Sequence, residues 1–269
     1  METRGRKRGR RLHFETALVT GASSGIGEVF ARQLAAQSKN LVLVARSGDK
    51  LCAIARELGE AHGVVTHVIV ADLAQPGAAT QVFAETERLG LQVDLLVNNA
   101  GFGHKGEFAV ADEDRQAEMV RVNVNAVVEL TRLYLPAMRY RRRGGVINVS
   151  SNAAFQPVPY MAVYSASKAF VLHFSEALAE EVAADGVRVM ALCPGATDTD
   201  FWDVAGVWQG RRRLMAAPET VVASGLRAFG RSRSFYVPGL IYRIVAFAAS
   251  RLAPRWLVTR VAGWLLRSR

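Results

Sequence analysis

Apolar residues follow two patterns along this chain. Short runs of Val, Ile, Leu and Ala alternate with longer stretches in which apolar positions recur every three or four residues, the spacing of a helix that buries one face. Gly, Asp, Asn and Ser cluster between them, as in turns. The patterns predict strands near residues 17–20, 41–45, 65–70, 95–97, 146–149, 187–192 and 235–237, and helices near residues 26–37, 48–62, 76–89, 113–141, 166–184 and 218–229.

The alternation of strands and helices predicts an α/β fold, with helices on both faces of a parallel seven-stranded sheet. Strands of consecutive apolar residues support this architecture, because a sheet covered on both faces buries every strand position. The sequence contains no internal repeat and no linker. We therefore expect one doubly wound domain over residues 14–239. A basic tail at 1–13, expected to be disordered, precedes it, and an amphipathic helical extension at 240–269 follows it.

The positive charge of the chain is concentrated at its two ends. The net charge is +10, but residues 1–11 hold six basic side chains against one acidic one, and residues 205–269 hold twelve arginines against Glu219. Residues 12–204 therefore sum to −6. The basic N-terminus lacks interleaved aromatic residues and no recognition motif is present, which disfavours nucleic-acid binding.

Cysteine and histidine usage favours a cytoplasmic protein without a metal site. Two cysteines do not form a disulfide framework, and no apolar segment follows the basic N-terminus as in a signal peptide. The five histidines lack metal-ligand spacing, so no metal is expected.

A glycine-rich loop follows the first predicted strand and leads directly into a helix: residues 20–27 read TGASSGIG. Gly21, Gly25 and Gly27 lack Cβ atoms, which permits a tight turn and close approach of a ligand to the backbone. The free N–H groups at the start of the helix favour a pyrophosphate. A glycine triplet also occurs in ordinary strand–helix turns, but its place in a βαβ pattern favours dinucleotide binding and a Rossmann-type fold.

The end of the second predicted strand indicates which dinucleotide is bound. NAD sites usually place a carboxylate there, which accepts a hydrogen bond from the ribose 2′-hydroxyl. Here the strand ends in Ala45, Arg46 and Ser47, with no carboxylate. A guanidinium can bind a 2′-phosphate through two hydrogen bonds. The alternative is a solvated surface arginine; the position favours NADP(H).

Tyr164 and Lys168 begin a long predicted helix and are separated by four residues, which places both side chains on one face. A free tyrosine has a pKa of about 10 and is a weak base at neutral pH, whereas a nearby ammonium favours the phenolate. The pair is therefore suited to proton transfer at an alcohol oxygen. Taken alone, the spacing is weak support, because most such pairs are exposed on helices.

Together these motifs resemble the short-chain dehydrogenase/reductase family from about residue 14 to residue 239. The glycine-rich loop, the Asn-Asn-Ala-Gly sequence at 98–101 and the Pro-Gly sequence at 194–195 occur in the family's order. Ser151 precedes Tyr164 at the family's serine–tyrosine spacing, which selects Ser151 over Ser150. Asn123 falls at the family's active-site asparagine, although Asn125 is close.

The resemblance implies hydride transfer between nicotinamide and a substrate carbon. Tyr164 is the expected acid/base, and Lys168 is expected to lower its pKa and to hold the nicotinamide ribose. Ser151 is expected to hydrogen-bond the reacting oxygen, and Asn123 to organise a water for proton relay. Carried over onto this sequence, the cofactor-binding residues are Gly21, Ser23, Ser24, Gly25, Ile26, Gly27, Arg46, Asp72, Leu73, Asn99, Ala100, Gly101, Tyr164, Lys168, Pro194, Gly195 and Thr199.

Three segments are expected to line the substrate pocket: residues 102–108, residues 155–161 and the loop after Thr199, which is expected to act as a lid. Their aromatic content, which in the loop includes Phe201, Trp202 and Trp208, favours a bulky apolar carbonyl or alcohol. The same residues could instead cap the core or form a subunit contact. Steroid, retinoid, long-chain aldehyde and lipid-intermediate substrates all fit this pattern.

Two alternatives to a carbonyl reductase of free substrates stay open: a reductase of carrier-bound 3-oxoacyl chains, and a non-catalytic dinucleotide-sensing scaffold. An intact set of Ser151, Tyr164 and Lys168 disfavours the scaffold, because a sensor needs no acid/base tyrosine. A homodimer or homotetramer is expected.

The extension at 240–269 is predicted to form two short amphipathic helices separated by Pro254. Its apolar residues include Trp256 and Trp264, its charged residues are all arginines, and no carboxylate follows Glu219. This composition is typical of a helix that lies at a membrane surface. Helices that fold back over the substrate pocket or a subunit interface fit the pattern equally well. The hypothesis is a cytoplasmic enzyme with peripheral membrane contact.

Overall fold

The computed structural model of the chain describes residues 14–207 and 215–267. Within these residues a parallel sheet has the strand order β3-β2-β1-β4-β5-β6-β7. The basic tail at 1–13, Trp208 and Arg269 lie outside the described residues. The strands are β1 (Thr16–Thr20), β2 (Asn40–Ala45), β3 (Thr66–Val70), β4 (Leu95–Asn98), β5 (Gly144–Val149), β6 (Val187–Leu192) and β7 (Phe235–Tyr236).

Ten α-helices in the described residues connect or follow these strands. They are α1 (Gly25–Ala35), α2 (Gly48–His62), α3 (Ala78–Arg88), α4 (Glu113–Val120), α5 (Ala126–Tyr140), α6 (Ala162–Glu181), α7 (Phe201–Val204), α8 (Pro218–Phe229), α9 (Leu240–Phe247) and α10 (Arg255–Leu266).

Two hydrophobic clusters cover the two faces of the sheet, which confirms the predicted doubly wound α/β architecture. On one face, α1, α2 and α8 pack against the strands through residues such as Phe30, Leu51 and Phe229. On the other face, α3, α5 and α6 pack through residues such as Val82 and Leu130. Burial of the sheet on both faces is the reason its strands consist mainly of apolar residues.

The strand order reverses between β1 and β4, and this reversal positions the site. β1 pairs with β2 on one side and with β4 on the other, so that Val19 lies beside both Leu43 and Val97. The loops after β1 and β4 therefore diverge to opposite faces and leave a crevice at the carboxyl edge of the sheet. In open α/β sheets ligands bind at this point.

The long helix predicted at 113–141 contains a π-helical turn at Arg121–Asn125, between α4 and α5. One such turn inserts an extra residue into a helix, and it is found frequently at functional sites. The helix predicted at 166–184 begins earlier, at Ala162, and ends at Glu181. Tyr164 consequently lies in its first turn, directly above the end of β5.

The extension forms α9 and α10, joined by a π-helical turn at Ala248–Leu252 and by Pro254, as predicted. No helix in the described ranges is long and apolar enough to cross a bilayer.

Candidate active site

A cavity of about 570 Å³ occupies the crevice at the carboxyl edge of the sheet. Of the predicted site residues, all but two line it; the exceptions are Gly27 and Asn123. The loops after β1, β2, β3, β4, β5 and β6 each contribute to the wall. Segments that are remote in the sequence therefore converge on one cavity because parallel strands end at the same edge.

The glycine-rich loop passes under Asn99, whose amide Nδ2 donates to the carbonyl oxygen of Thr20 at 2.9 Å. Gly21 has φ +64°, and a Cβ there would lie 2.8 Å from the same Nδ2, so no other residue fits without rearrangement. Gly25 has φ +55° and faces the methyl group of Thr199. Gly27 does not reach the cavity. A Cβ at Gly27 would overlap the carbonyl oxygen of Gly21, so its role is close packing of α1 against the loop.

Arg46 lies at the far end of the cavity, with its side chain 65% exposed. It makes one long ion pair, 3.4 Å, with Glu118, a carboxylate that Arg115 also holds at 3.0 Å. The guanidinium is therefore free to reorient toward an anion. Lys50, which the sequence reasoning missed, lines the same end of the cavity. Its position in the first turn of the helix after Arg46 was the available signal.

Asp72 and Leu73 lie on the wall between this end and the glycine-rich loop. The Asp72 carboxylate accepts from the backbone N–H of Ala74 at 3.1 Å and from the Gln75 side chain at 3.2 Å. These bonds fix the turn after β3, in which Leu73 lines the cavity.

Tyr164, Lys168 and Ser151 meet at the other end of the cavity. Both members of the tyrosine–lysine pair are buried, and the Lys168 nitrogen lies 5.9 Å from the centre of the Tyr164 ring. Lys168 donates to the carbonyl oxygen of Val149 at 2.9 Å, which fixes its ammonium beside the end of β5. Ser151 caps the 3₁₀ turn that follows this strand, accepting from Ala153 at 3.1 Å.

Burial dominates the proton affinities of this group. It raises the pKa of Tyr164 to about 12, and the hydrogen bond with Ser151 acts in the opposite direction. It also lowers the pKa of Lys168 to about 8, against the attraction of Cys193. In the protein without cofactor, desolvation of the phenolate outweighs the effect that lowers the tyrosine pKa, and the role of Lys168 in lowering it stays a prediction. At neutral pH the site therefore holds a protonated phenol next to an ammonium group.

Asn123 lies in the π-helical turn and is 1% exposed. Its Nδ2 donates to the carbonyl oxygen of Phe102 at 2.9 Å and to Ser167 at 3.1 Å, and its Oδ1 accepts from the N–H of Phe102 at 3.1 Å. The side chain is thereby committed to the backbone of the loop after β4. It positions that loop beside Lys168, and it does not itself line the cavity.

The turn after β6 is held from outside by the C-terminal extension. The ring of Tyr242, from α9, covers Gly195 so closely that a Cβ would overlap it. The Tyr242 hydroxyl donates to the carbonyl oxygen of Ala196 at 3.2 Å. Sequence reasoning assigned the turn and missed this tyrosine, since nothing in the local sequence indicates the contact.

Apolar side chains cover the Tyr164 end of the cavity. The ring of Phe201 lies 5.3 Å from that of Tyr164, and Trp202 packs edge-on against Phe201 while its indole N–H donates to Thr197 at 2.8 Å. Phe102, Val158, Met161 and Leu266 complete the wall. The prediction that residues 102–108 and 155–161 line the pocket is only partly right: the cavity contains Phe102 from the first segment and Gln156, Val158 and Met161 from the second. Phe108 is exposed at the surface, and Phe155 packs against Phe235.

Two amide groups add polarity to this apolar end. Asn152 and Gln156 line the cavity, and among the described residues their side-chain oxygens are buried without a hydrogen-bond partner. Buried acceptors of this kind are costly unless something donates to them. Cys193, in contrast, is fully buried, and burial raises the pKa of its thiol to about 12, so it packs as an inert residue.

A glycine-rich loop at the switch point of a doubly wound sheet, next to a buried Tyr–Lys pair and a serine, defines a class of dinucleotide-dependent oxidoreductases. Comparison with known proteins agrees: a family model described as short chain dehydrogenase matches residues 15–209. The chain belongs to the short-chain dehydrogenase family, which confirms the resemblance seen in the sequence.

Three similar proteins illustrate the range of the family. The very-long-chain 3-oxoacyl-CoA reductase of Bos taurus is 34% identical over 254 residues, which are 92% of this chain and 78% of the relative. The inactive hydroxysteroid dehydrogenase-like protein 1 of Homo sapiens is 30% identical over 94% of this chain and 76% of its own length. A short-chain dehydrogenase from Sphingobium yanoikuyae, solved with NADPH, is 32% identical and superimposes with a TM-score of 0.80 over 88% of this chain and 93% of that one.

Proposed function

We propose that this protein is an NADP(H)-dependent oxidoreductase that interconverts a bulky apolar carbonyl compound and the corresponding alcohol. The observation that carries the proposal is the convergence of Tyr164, Lys168 and Ser151 on the cavity that also contains the glycine-rich loop. Proton-transfer groups and a dinucleotide cradle in one enclosed space are what carbonyl reduction requires.

The residues of the cavity fit the cofactor. Gly21 and Gly25 lack the Cβ atoms that would fill the space over the loop, and the N-terminus of α1 there suits a pyrophosphate. Ser23, Ser24 and Ile26 complete that wall, and Asp72 and Leu73 would contact the adenine ring. Asn99, Ala100, Gly101, Lys168, Pro194, Gly195 and Thr199 would surround the nicotinamide half.

Arg46 and Lys50 would hold the 2′-phosphate, because both line the end of the cavity beyond β2, and this strand ends at Ala45 and continues into Arg46 and Ser47 without an acidic residue. Glu118 is the one acidic residue on this part of the wall, and its second oxygen is engaged by Arg115. The similar structure from Sphingobium yanoikuyae, solved with NADPH, supports this choice of dinucleotide.

When bound, NADPH supplies a hydride to the carbonyl carbon. Tyr164 donates its phenolic proton to the carbonyl oxygen, and Ser151 stabilises the negative charge that develops there. The raised pKa of Tyr164 keeps that proton in place at neutral pH, which suits the reductive direction. Lys168, held by Val149, then favours the resulting phenolate until it is reprotonated. Asn123 positions the loop after β4 through its hydrogen bonds with Phe102, and we propose that it organises a water for proton relay next to Lys168.

A second candidate substrate is a 3-oxoacyl chain, which the similarity to a very-long-chain 3-oxoacyl-CoA reductase favours. The apolar wall of Phe102, Met161 and Phe201 suits such a chain as well as a steroid. A non-catalytic scaffold is the third candidate, which the similarity to an inactive human relative supports.

We further propose that the protein forms a homodimer or homotetramer and is located in the cytoplasm, with peripheral contact to a membrane surface.

One experiment separates these candidates. NADPH absorbance is followed with a panel of ketones, aldehydes and 3-oxoacyl thioesters, with wild type and Tyr164→Phe in parallel. Turnover of free apolar ketones that the variant loses supports the first candidate, and turnover confined to thioesters supports the second. If no carbonyl is reduced while NADPH binds in calorimetry, the protein is a dinucleotide-binding scaffold and the proposed function is wrong.

A further inference from the structure

The outer faces of α9 and α10 expose an unusually large number of apolar side chains. Trp256 is 63% exposed and Trp264 is 73% exposed, and the exposure of the other members ranges from 41% to 72%. Isolated exposed apolar residues are ordinary, but contiguous groups mark an interaction site. We call this group the outer face; it comprises Leu240, Ile241, Ile244, Val245, Phe247, Leu252, Trp256, Leu257, Val261, Trp264 and Leu265.

The same two helices have an inner face that is engaged with the catalytic domain. Tyr242 covers the turn after β6, and Ala246 is buried in a cluster with Ala154 and Cys193. On α10, Gly263 lies against Pro159 at a separation where even a methyl group would be in tight contact. The pair is therefore docked on the domain, and its outer face is not simply the exposed side of an unfolded tail.

Leu266, the last residue of α10, brings the helix that carries part of the outer face into contact with the catalytic cavity. It lines the catalytic cavity and packs against the buried cluster that includes Met161 and Tyr164. The helix that carries the exposed tryptophans thus contributes its last residue to the substrate end of the cavity. A displacement of α10 would open this end of the cavity toward the outer face.

Charge determines which partner fits the outer face. Residues 240–269 contain six arginines and no acidic side chain, and the last acidic side chain of the sequence is that of Glu219. A second copy of the chain would bring an equally cationic segment against this one, so like charges would oppose a symmetric contact. An anionic surface is complementary. Tryptophans, aliphatic residues and arginines on short helices are the composition that binds at the boundary between lipid headgroups and acyl chains.

We propose that the outer face of α9 and α10 docks on an anionic lipid bilayer, and that the substrate enters the catalytic cavity from this bilayer past Leu266. This inference rests on the proposed function and names its substrate class: a carbonyl compound dissolved in lipid. Reduction converts the ketone, NADPH and a proton into the secondary alcohol and NADP⁺, and the alcohol returns to the bilayer.

The docking step is tested without any substrate. Full-length protein is co-sedimented with phosphatidylglycerol vesicles and with phosphatidylcholine vesicles. We expect binding to the anionic vesicles that weakens at high salt, and a loss of at least about tenfold in the double variant Trp256→Ser/Trp264→Ser. Arg260→Gln should weaken binding to anionic vesicles about fivefold and leave binding to neutral ones unchanged.

The matched control is Val110→Ser/Tyr140→Ser, which removes two even more exposed apolar side chains away from α9 and α10 and should not change binding. Absence of binding to anionic vesicles at low salt overturns the proposal. Equal losses in the control and test variants also overturn it. A stable dimer in sedimentation velocity that only Trp256→Ser/Trp264→Ser dissociates would show that a second copy covers the outer face.

The entry step is tested with two presentations of a ketone: a water-soluble substrate from the panel, and a long-chain methyl ketone dissolved in anionic vesicles. We expect Trp256→Ser/Trp264→Ser to lower turnover of the vesicle-dissolved ketone at least about tenfold and to leave the water-soluble ketone unaffected. If Trp256→Ser/Trp264→Ser turns over the vesicle-dissolved ketone as fast as wild type, or loses turnover of both ketones equally, entry from the bilayer is refuted. Vesicle binding without any NADPH oxidation would instead refute the proposed function and leave docking intact.

Discussion

Replacing Lys168 by Met should make the protein more stable at neutral pH while removing most of its activity. Burial lowers the pKa of Lys168 from 10.5 to about 8, so folding at pH 7 must place a charged ammonium where the neutral amine is favoured. At about 1.4 kcal/mol for each pKa unit, this penalty is about 3 kcal/mol. Met has a similar length and carries no charge.

Part of this gain is offset, because Lys168 donates to the carbonyl oxygen of Val149. Leaving a buried acceptor without its donor costs about 1–2 kcal/mol. We therefore expect Lys168→Met to raise the free energy of unfolding by about 1–2 kcal/mol at pH 7, or to raise Tm by about 2–6 °C for a domain of this size.

The pH dependence of the stability difference between Lys168→Met and wild type tests whether the buried ammonium causes this difference. Below pH 8 the lysine is protonated in both states, and the penalty is fully present. Between pH 8 and 10.5 the folded protein releases the proton while the unfolded chain keeps it, so wild-type stability rises relative to the variant. Tyr164 stays protonated in this range because its pKa is about 12. The advantage of the variant should thus shrink to nothing at about pH 9 and be reversed by about pH 10, where wild type has gained more than about 2 kcal/mol at about 1.4 kcal/mol for each pH unit.

Urea unfolding followed by circular dichroism at pH 7, 8, 9 and 10 measures this difference. Lys50→Met is the control, because Lys50 is exposed and its removal should change stability little at any pH. If Lys168→Met is less stable than wild type at pH 7, or if its advantage is independent of pH, then burial of the ammonium does not carry the cost we assign to it.

Three further predictions concern the cavity. Tyr164→Phe should bind NADPH normally in calorimetry and lower kcat at least about a hundredfold, the usual contribution of a positioned acid; wild-type turnover would disprove its role. Arg46→Ala should weaken NADPH binding about tenfold and NADH binding little, because only NADPH carries the 2′-phosphate; equal losses would assign the discrimination to another residue such as Lys50. Gly27→Ala should destabilise the fold by about 1–3 kcal/mol in urea unfolding, since its Cβ would overlap the Gly21 carbonyl. Its control Gly230→Ala meets only ordinary contacts and should cost much less, so equal costs would contradict the packing argument.

Much of the fold could be predicted from the sequence, because the relevant signals are local. Buried parallel strands consist of consecutive apolar residues, and the β1 and β6 predictions agree with the structure within one residue. The motif spacing also predicted the family, and the cavity contains Ser151, Tyr164 and Lys168 together. The start of α6 was harder to predict, because Met161 offers no capping side chain that would mark it.

The tertiary structure alone decided which effect dominates at each site. Local sequence could not show that burial raises the pKa of Tyr164, because part of that burial comes from α7, which packs Phe201 against the tyrosine ring. The tertiary structure also places Gly27 and Asn123 away from the cavity wall. Gly27 packs against the carbonyl group of Gly21, and the side chain of Asn123 is hydrogen-bonded to the backbone of Phe102.

The C-terminal extension shows the same division most clearly. Its sequence determined two amphipathic helices and an all-arginine charge, since helical periodicity and composition are properties of the local chain. It left open whether these helices cover the pocket or face outward. The structure shows that they do both, with Leu266 on the cavity and Trp264 exposed. A helix has two faces, and only the packing of the whole chain decides what each of them meets.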